Sequence, residues 1–334
     1  MVMTKTLSIG KVRGLQQIAD AHGIFAMCAM DHRGSMQRMI NKAAPDQVTY
    51  DVLVEYKRDL TEMLAPVSTA VLLDPIFGAA QAVASGTLRG STGLLVSLEE
   101  TGYEKDAQGR ITALLPGWSV EKIKRMGASA VKILLYYRPD LAENATRQRD
   151  VTRRVGDACI HADIPFLLEP IAYPLSGAEQ YPEMFAARKP GLVADSARDL
   201  TPLGVDVLKA EFPADMRYAK DEGVWRAACQ QLDEASQSPW ILLSAGVTFD
   251  EFARQVKIAC QVGASGFLGG RAIWEEAMHM PDARERKQWL ATAGTDRMRR
   301  LHDIAGESGH PWWKKWGDSV AELTQVQPDW YQQY

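Results

Sequence analysis

Two lysine residues lie inside segments that otherwise read as buried β-strands. Lys132 stands between Val131 and Ile133 in SAVKILLYY, and Lys209 lies in DVLKAEFP, two residues before Glu211. Because strand side chains alternate between faces, Lys209 and Glu211 point to the same side of their strand. A buried ammonium without a partner is costly. These residues therefore either form a structural ion pair or line a cavity in which chemistry takes place.

The chemistry that such residues favour is aldol cleavage through a lysine. Two lysines in one dry pocket are expected to lower each other's pKa, because burial and like charge both disfavour the ammonium. A neutral amine attacks a carbonyl carbon and forms a Schiff base. A carboxylate such as Glu169, in the apolar segment PFLLEPIAY, can then take the proton from the hydroxyl group at the bond being cleaved. This chemistry needs no metal and no organic cofactor, and it leaves open whether Lys132 or Lys209 is the nucleophile.

Three other functions are weaker interpretations of the same residues. A zinc-dependent aldol reaction normally needs several histidine ligands, and of the six histidines only His32 falls at the end of a predicted strand. A glycosidase would use Glu169 with a second carboxylate, but it would not explain two strand lysines. A non-catalytic barrel that senses a sugar phosphate would not require a nucleophilic lysine.

Eight short apolar runs, each followed by a polar segment with helical spacing, account for most of the chain. They begin at Phe25, Thr69, Gly93, Ser129, Pro165, Asp206, Trp240 and Ser265. Near-continuous apolar strands that alternate with helices predict a parallel sheet covered on both faces. Eight such units favour a closed (β/α)₈ TIM barrel over an open doubly wound sheet. Neither GxGxxG nor GxxxxGK[ST] follows the first run, which argues against the commonest nucleotide-binding folds.

Helix signals accompany these runs. The segment Asp51 to Leu64 spaces apolar residues by three and four, which predicts a helix. Another helix is predicted from a Ser119 cap to Gly127, and a third from near Thr248 to Gly263.

In a TIM barrel the active site lies at the carboxyl ends of the strands. The polar and small residues predicted at those ends are Asp31, His32, Arg33, Asp74, Glu99, Glu100, Lys132, Glu169, Lys209, Glu211, Ser244, Ala245, Gly246, Gly269, Gly270 and Arg271. Asp74 precedes Pro75 and is expected to cap the following helix, whereas a cap and a catalytic role are both open for Asp31.

The turns after the seventh and eighth runs predict a phosphate site. Ser244 to Gly246 and Gly269 to Arg271 are small-residue turns, and barrels hold phosphate at this position with backbone N–H groups. Arg271 can add a bidentate contact. The alternative is that the glycines merely allow tight turns.

Composition excludes several classes of protein. The chain has 334 residues, 46% of them hydrophobic and 24% charged, with a net charge of −4. No basic field is available to gather nucleic acid, and neither a signal peptide nor a membrane span is predicted. Four dispersed cysteines without a CxxC pair indicate a reduced, cytoplasmic protein. A homo-oligomer is expected from the base rate for soluble enzymes.

The chain after Ala283 differs from the rest. We expect a single barrel domain over residues 1–283 and an aromatic-rich extension over 284–334. Its tryptophans are Trp312, Trp313, Trp316 and Trp330. Either this tail packs across one end of the barrel, or it forms a subunit interface, where Trp and Tyr are enriched.

From about Gly14 to Trp274 the chain resembles the LacD-type tagatose-1,6-bisphosphate aldolases, a class I family with a barrel fold. The stretches that carry the resemblance are AMDHRG, LLDPIFG, EETGYE, SAVKILLYY, FLLEPIAY, DVLKAEFP, LSAGV and GGRAIW. Each is weak alone, but their order and spacing are specific.

The resemblance implies that Lys209 forms the Schiff base and that Glu169 is the acid and base. Lys132 and Asp31 would tune and position that carboxylate. Ser244, Gly246, Gly270 and Arg271 would hold the first phosphate of a ketose phosphate or bisphosphate, which is cleaved to dihydroxyacetone phosphate and an aldehyde. Glu211 is expected to pair with a site lysine.

The sequence also departs from the family. His32 stands where the family usually has glutamine, since DHRG replaces DQRG, and the segment SGAEQYPEMFAARKPG and the Trp-rich tail differ too. The turn ASGFLGGRA also resembles a related branch that cleaves sulfofructose phosphate. The far end of the substrate therefore stays open between phosphate, sulfonate and a neutral group. A transaldolase-like transfer would use the same imine.

Overall fold

Each of the eight apolar runs forms a parallel β-strand in the computed structural model, which describes residues 5–106, 109–324 and 326–334. The strands are β1 (Phe25–Ala29), β2 (Ala70–Leu73), β3 (Gly93–Ser97), β4 (Ala130–Tyr136), β5 (Phe166–Ile171), β6 (Val207–Ala210), β7 (Trp240–Leu243) and β8 (Gly266–Gly269). Each pairs with its neighbours in chain order, and β1 pairs with β8, so the sheet closes into a barrel. The predicted TIM barrel is confirmed.

Helices surround the strands. The α-helices are α1 (Ile9–Ile18), α2 (Gly34–Ile40), α3 (Tyr50–Leu64), α4 (Ala79–Ala84), α5 (Val120–Arg125), α6 (Ala142–His161), α7 (Pro182–Leu200), α8 (Glu222–Ala235), α9 (Phe249–Val262), α10 (Arg271–Trp274), α11 (Ala283–Trp289), α12 (Thr295–Ser308), α13 (Val320–Leu323) and α14 (Trp330–Gln333). Short 3₁₀ or π turns lie at Pro45–Gln47, Ala65–Val67, Gly177–Gln180, Glu275–His279, Leu290–Gly294 and Trp312–Lys315.

Side-chain caps begin the helices that the sequence predicts. Thr49 accepts a hydrogen bond from the Val52 N–H at the start of α3. Ser119 does the same for α5 and Thr248 for α9. Such caps satisfy backbone donors that the first helical turn leaves unpaired.

Strand alternation separates an inner from an outer core. The side chains that face the barrel axis pack with one another, for example Phe25, Ala130, Leu167 and Val207. Intervening strand residues pack against the surrounding helices. The interior is therefore filled with side chains, as in other barrels of this size.

A two-stranded antiparallel hairpin, which the sequence patterns did not predict, interrupts the connection between β3 and α5. It pairs Glu104–Asp106 with Gly109–Ile111. The Glu99 segment that leads into it also forms a bridge with Leu114. The hairpin thus rises from the carboxyl end of β3.

One part of the tail packs against the side of the barrel, and the other part packs against one end of it. Helix α12 packs against α9, α3 and β1, so the eighth helix of the barrel lies beyond the boundary predicted at Ala283. Further on, Trp312, Trp316 and Leu323 pack with the inner core at the amino end of the strands. The tail therefore completes the barrel wall and closes its amino end.

Across the described residues, no helix is both long and apolar enough to cross a membrane. Residues 1–4, part of the N-terminal segment in which no signal peptide is predicted, lie outside the described residues.

Candidate active site

The uppermost layer of the barrel interior is polar. Lys132, Glu169 and Lys209 each lie two residues beyond an inward-facing apolar residue of β4, β5 or β6, so alternation directs all three toward the axis. All three side chains are at most 9% exposed. The charges in DVLKAEFP therefore face the barrel mouth, while the strand packs its other face on the helices.

Lys132 is surrounded by three carboxylates. Its Nζ lies 2.8 Å from Asp31 Oδ2, 2.6 Å from Glu99 Oε1 and 3.1 Å from Glu169 Oε2. Burial alone would lower the pKa of this ammonium, but attraction to Asp31, Glu169 and Glu99 raises it well above its usual value. The prediction that the two lysines depress each other's pKa is thus wrong for Lys132, because the carboxylates outweigh burial and like charge.

Glu169 bridges the two lysines. Its Oε1 lies 2.9 Å from Lys209 Nζ, and its Oε2 faces Lys132. Burial acts to raise the pKa of Glu169, but the positive charges of Lys132 and Lys209 outweigh it and lower the pKa. The carboxylate is therefore ionised and lies in contact with both ammonium groups.

The other two carboxylates of the cluster behave differently from each other. Against the effect of burial, the ammonium of Lys132 above all, with Lys209, holds the pKa of Asp31 far below its usual range. For Glu99 the effect of burial prevails and its pKa rises, since Lys132 offsets only part of it and Asp31 adds repulsion. Glu99 is the carboxylate of this cluster that takes up a proton most readily.

His32 is a neutral imidazole beside the cluster. Its ring makes an edge contact with Trp274, with 5.0 Å between centroids, and its Nδ1 lies 3.8 Å from Asp31 Oδ1. Burial, assisted by Arg271, Lys57 and Lys209, lowers the pKa of His32 to about 4, although Asp31 acts to raise it. A neutral ring can both donate and accept hydrogen bonds, as the glutamine of the family can.

The turns after β7 and β8 meet at the same mouth. Ser244 Oγ accepts a hydrogen bond from the Gly270 N–H at 3.3 Å, which joins the two turns. Ala245 and Gly246 have positive φ angles of 47° and 74°. A Cβ atom on Gly246 would lie 2.8 Å from Arg271 Cζ, so glycine leaves room for the guanidinium there. Ser244, Ala245, Gly270 and Arg271 line the cavity.

Gly269 does not line this cavity. A Cβ atom on it would lie 2.8 Å from both Ile273 and Phe252, side chains of the outer layer. The prediction that Gly269 binds phosphate is therefore not supported by its position, which instead allows β8 to pack closely against its helices. Gly246 likewise lies behind the cavity surface, next to Arg271.

The cavity has a volume of about 420 Å³, which suits a small-molecule substrate. Arg33 lies in its wall, where Nη2 donates to the Glu99 carbonyl at 2.7 Å. Arg33 Nη1 is buried and has no hydrogen-bond partner among the described residues. Two arginines therefore line the cavity, Arg271 after β8 and Arg33 after the neighbouring strand β1.

Two predicted carboxylates have other partners. Asp74 Oδ1 accepts from the Ile76 and Phe77 N–H groups at 2.9 and 2.8 Å. These donors lie in the turn before α4, whose N-cap is Gly78 without a side-chain cap, so the prediction that Asp74 caps the helix is wrong. Glu211 lines the cavity, but its ion pair is with Lys189 of α7 at 3.3 Å. The prediction that Glu211 pairs with a site lysine is wrong, since a helix supplies its lysine.

Glu99 is a site residue whose role the sequence patterns do not predict. Its position at the carboxyl end of β3 was a sufficient signal, because every barrel strand directs its last residues to the same mouth. Among the described residues, no group of three His, Cys, Asp or Glu side chains has the arrangement of a metal site.

A closed parallel barrel whose mouth holds two lysines and an ionised carboxylate between them defines a barrel enzyme of the lysine-dependent aldolase type. Comparison with protein families makes the assignment specific. Residues 25–276 match the model of the DeoC/LacD family aldolases, and the chain belongs to that family.

Named relatives are similar over almost the whole chain. A tagatose 1,6-diphosphate aldolase of Listeria monocytogenes serotype 4b is 35% identical, with 92% of this chain and 95% of that protein covered. A protein of Enterococcus faecalis, tagatose 1,6-diphosphate aldolase 1, is 33% identical, with 91% and 97% covered.

Solved structures share the fold at low identity. A fructose-bisphosphate aldolase from Plasmodium falciparum superposes with a TM-score of 0.71 at 14% identity, covering 93% of this chain and 99% of that one. A Schiff-base-forming fructose-1,6-bisphosphate aldolase gives a TM-score of 0.54 at 19% identity, covering 88% and 99%.

Proposed function

We propose that this chain is a class I aldolase that cleaves a ketose bisphosphate of the tagatose 1,6-bisphosphate type into dihydroxyacetone phosphate and an aldehyde. The observation that carries the proposal is the Glu169 carboxylate, which lies 2.9 Å from one lysine and 3.1 Å from another inside the barrel mouth. The names of the relatives supply the substrate class.

The environment of the two lysines supports Lys209 as the nucleophile. Lys132 contacts three carboxylates that raise its pKa, so it stays an ammonium and has no lone pair for attack. Among the described residues, Lys209 has one carboxylate neighbour within ion-pair distance, Glu169. Attack by Lys209 thus requires the disruption of one of these ion pairs, whereas attack by Lys132 would require the disruption of three.

The reaction then follows from the positions of these groups. The Lys209 amine adds to the substrate ketone, and loss of water gives a protonated imine. Glu169 removes the proton from the hydroxyl group two carbons away from the imine carbon. The bond between the hydroxyl-bearing carbon and the carbon next to the imine carbon breaks. Its electron pair passes into the imine to give an enamine, and the aldehyde leaves. Protonation of the enamine and addition of water release dihydroxyacetone phosphate and restore the lysine.

The remaining charges bind and position the substrate. Arg271 and the backbone N–H groups near Ser244 and Gly270 are suited to one phosphate. Arg33 and His32, which follow the neighbouring strand β1, line the same cavity and are suited to a further anionic or polar group of the substrate. Lys132 and Asp31 fix the orientation of Glu169 through the ion pairs that connect the three side chains.

A trapping experiment tests the proposal. The protein is incubated with dihydroxyacetone phosphate and borohydride, and the modified peptide is mapped by mass spectrometry. A covalent adduct on Lys209 is expected. An adduct on Lys132, or binding without any adduct, contradicts the assignment, and activity that a chelator abolishes and zinc restores contradicts the imine mechanism.

A substrate panel determines the far end of the substrate. It contains tagatose and fructose bisphosphates, sulfofructose phosphate and shorter ketose phosphates, each followed by release of dihydroxyacetone phosphate. Tagatose 1,6-bisphosphate is expected to have the highest kcat/KM. A higher value for sulfofructose phosphate would assign the chain to the sulfosugar branch.

We further infer a cytoplasmic homo-oligomer. Four free, buried cysteines support a reducing compartment. The exposed aromatic rings of Trp330, Tyr331 and Tyr334 support a contact with a second copy. Light scattering after size-exclusion chromatography measures the mass in solution, and a monomer would contradict this inference.

A further inference from the structure

A further buried lysine contacts the backbone next to Asp31 without lining the cavity. Lys57 extends from α3, and its side chain is 1% exposed. Its Nζ donates a hydrogen bond to the Met30 carbonyl at 2.6 Å and lies 2.7 Å from Asp74 Oδ2. Met30 directly precedes Asp31, so Lys57 is joined to the peptide group that leads into a residue of the site.

The backbone of the two residues before Asp31, Ala29 and Met30, is held by hydrogen bonds. Trp274 Nε1 donates to the Ala29 carbonyl at 3.0 Å, and the Met30 N–H donates to the Leu72 carbonyl at 2.8 Å. Lys57 supplies the last contact. Since the Met30 carbonyl and the Asp31 N–H belong to one planar peptide group, fixing that carbonyl fixes the direction in which Asp31 leaves the strand.

We propose that Lys57 is a positioning residue that holds Asp31 against Lys132 in the aldolase reaction. Asp31 Oδ2 lies 2.8 Å from Lys132 Nζ, and Lys132 in turn contacts Glu169 at 3.1 Å. The inference rests on the proposed function, because it assigns a catalytic consequence to the orientation of these three side chains.

A purely structural role explains Lys57 poorly. A buried ion pair is weak evidence for stability, because apolar side chains of similar volume often stabilise a core at least as well. Asp74 already holds the turn before α4 through its other oxygen. We therefore attribute the contact between the Lys57 ammonium and the Met30 carbonyl, one residue before Asp31, to a requirement of the active site.

Lys57 also acts on the site through its charge. It is one of the cations that depress the pKa of His32, after burial and Arg271 and together with Lys209, while Asp31 opposes them. A substitution at Lys57 that leaves Asp74 ionised would therefore change charge and geometry together.

The double variant Lys57→Met, Asp74→Asn separates geometry from charge. It removes both members of the ion pair, while the side-chain amide oxygen introduced at position 74 can still accept from the Ile76 and Phe77 N–H groups. We expect a folded protein with an unchanged melting temperature and a KM within about threefold of the wild type. We expect kcat to fall by about tenfold or more, since small misplacements of catalytic groups have effects of this size.

A matched control is Lys11→Met. Lys11 is also buried and pairs with a buried aspartate, Asp206, at 2.6 Å, but it lies at the other end of the barrel and Asp206 keeps Lys5. This variant should keep the wild-type kcat. An equal loss of kcat in Lys11→Met, or a wild-type kcat in the double variant, overturns the proposal.

A crystal structure of the double variant supplies a readout that does not depend on turnover. In the variant, the distance between Asp31 Oδ2 and Lys132 Nζ should exceed hydrogen-bond length. A distance that stays at 2.8 Å overturns the positioning role. If the wild-type protein cleaves no sugar phosphate, the proposed function fails, and this structural comparison still decides whether Lys57 positions Asp31.

Discussion

The two ends of the barrel both contain buried lysines paired with carboxylates, yet the two clusters differ in access. At the carboxyl end, Lys132 and Lys209 share Glu169 at the floor of an open cavity. At the amino end, Lys5 and Lys11 share Asp206 at 3.0 and 2.6 Å. Strand β6 connects the clusters, since Asp206 directly precedes it and Lys209 lies within it.

Among the described residues, the amino-end cluster has no buried side-chain nitrogen or oxygen that lacks a hydrogen-bond partner. Asp206 also accepts from the Phe166 N–H at 3.0 Å, and Trp316 lies 4.4 Å from Lys5 Nζ in a cation–π contact. The carboxyl-end cluster keeps buried polar atoms without a hydrogen-bond partner among the described residues, namely Glu99 Oε2, Arg33 Nη1 and His32 Nδ1. Buried polar atoms that lack partners next to a cavity, and not a buried ion pair by itself, distinguish the catalytic cluster from the structural cluster at the amino end.

The largest expected effect comes from removing the lysine at the open end. Lys209→Ala should lower kcat by about a thousandfold or more, because no other group supplies the imine. Its melting temperature should stay near the wild type. The measurements are release of dihydroxyacetone phosphate and a thermal melt.

The matching substitution at the closed end is Lys11→Ala, which should leave kcat within about threefold of the wild type, since it lies away from the reacting atoms. Substantial turnover by Lys209→Ala would contradict the inference that the lysine at the carboxyl end is catalytic and the one at the amino end is not.

A smaller effect, on stability and not on rate, is expected from Asp206→Asn. The substitution leaves the buried Lys11 ammonium without its counter-charge, so the free energy of unfolding should fall by about 3 kcal/mol. Denaturant titration measures that change, and kcat measured on the folded fraction should stay nearly constant. A loss of kcat without a loss of stability would show that the closed end takes part in catalysis.

The last prediction concerns the pH dependence of stability. The folded pKa of His32, about 4, lies below its unfolded value of 6.5. Below pH 6.5 the unfolded chain therefore binds a proton that the folded protein does not, and stability is lost as the pH falls toward 4, by up to about 1.4 kcal/mol per pH unit. His32→Gln should remove this contribution.

Comparison of the wild type with His32→Gln isolates the histidine, because the carboxylates are common to both proteins. Denaturant titrations at several values between about pH 7 and pH 4 should show a shallower pH dependence in the variant. Parallel curves would contradict a depressed pKa for His32.

The sequence was sufficient to predict the barrel and the direction of its charges. Near-continuous apolar runs marked all eight strands, and alternation placed Lys209 on the inner face. The hairpin at Glu104–Ile111 was missed because its strands are short and polar. The eighth helix, α12, was assigned to a tail because its charged surface hides the apolar stripe that packs on α9 and α3.

Sequence patterns do not predict the distances between side chains that come from different strands. The pKa of Lys132 moves up and not down because Asp31, Glu99 and Glu169 converge on it from three other strand ends. The contacts of Lys57 could not be predicted for the same reason. Its helix was predicted, but its partners Met30 and Asp74 lie in two different strand connections, so neither its burial nor its contacts could be read from periodicity.

The position of Glu169 between two cations has a consequence for the whole catalytic cycle. An ammonium and a protonated imine at Lys209 carry the same single positive charge at nearly the same place. The field that Glu169 experiences in the resting enzyme is therefore close to the one it experiences while the bond is cleaved. Little solvent or side-chain reorganisation is required between these states, which is the condition for electrostatic preorganisation.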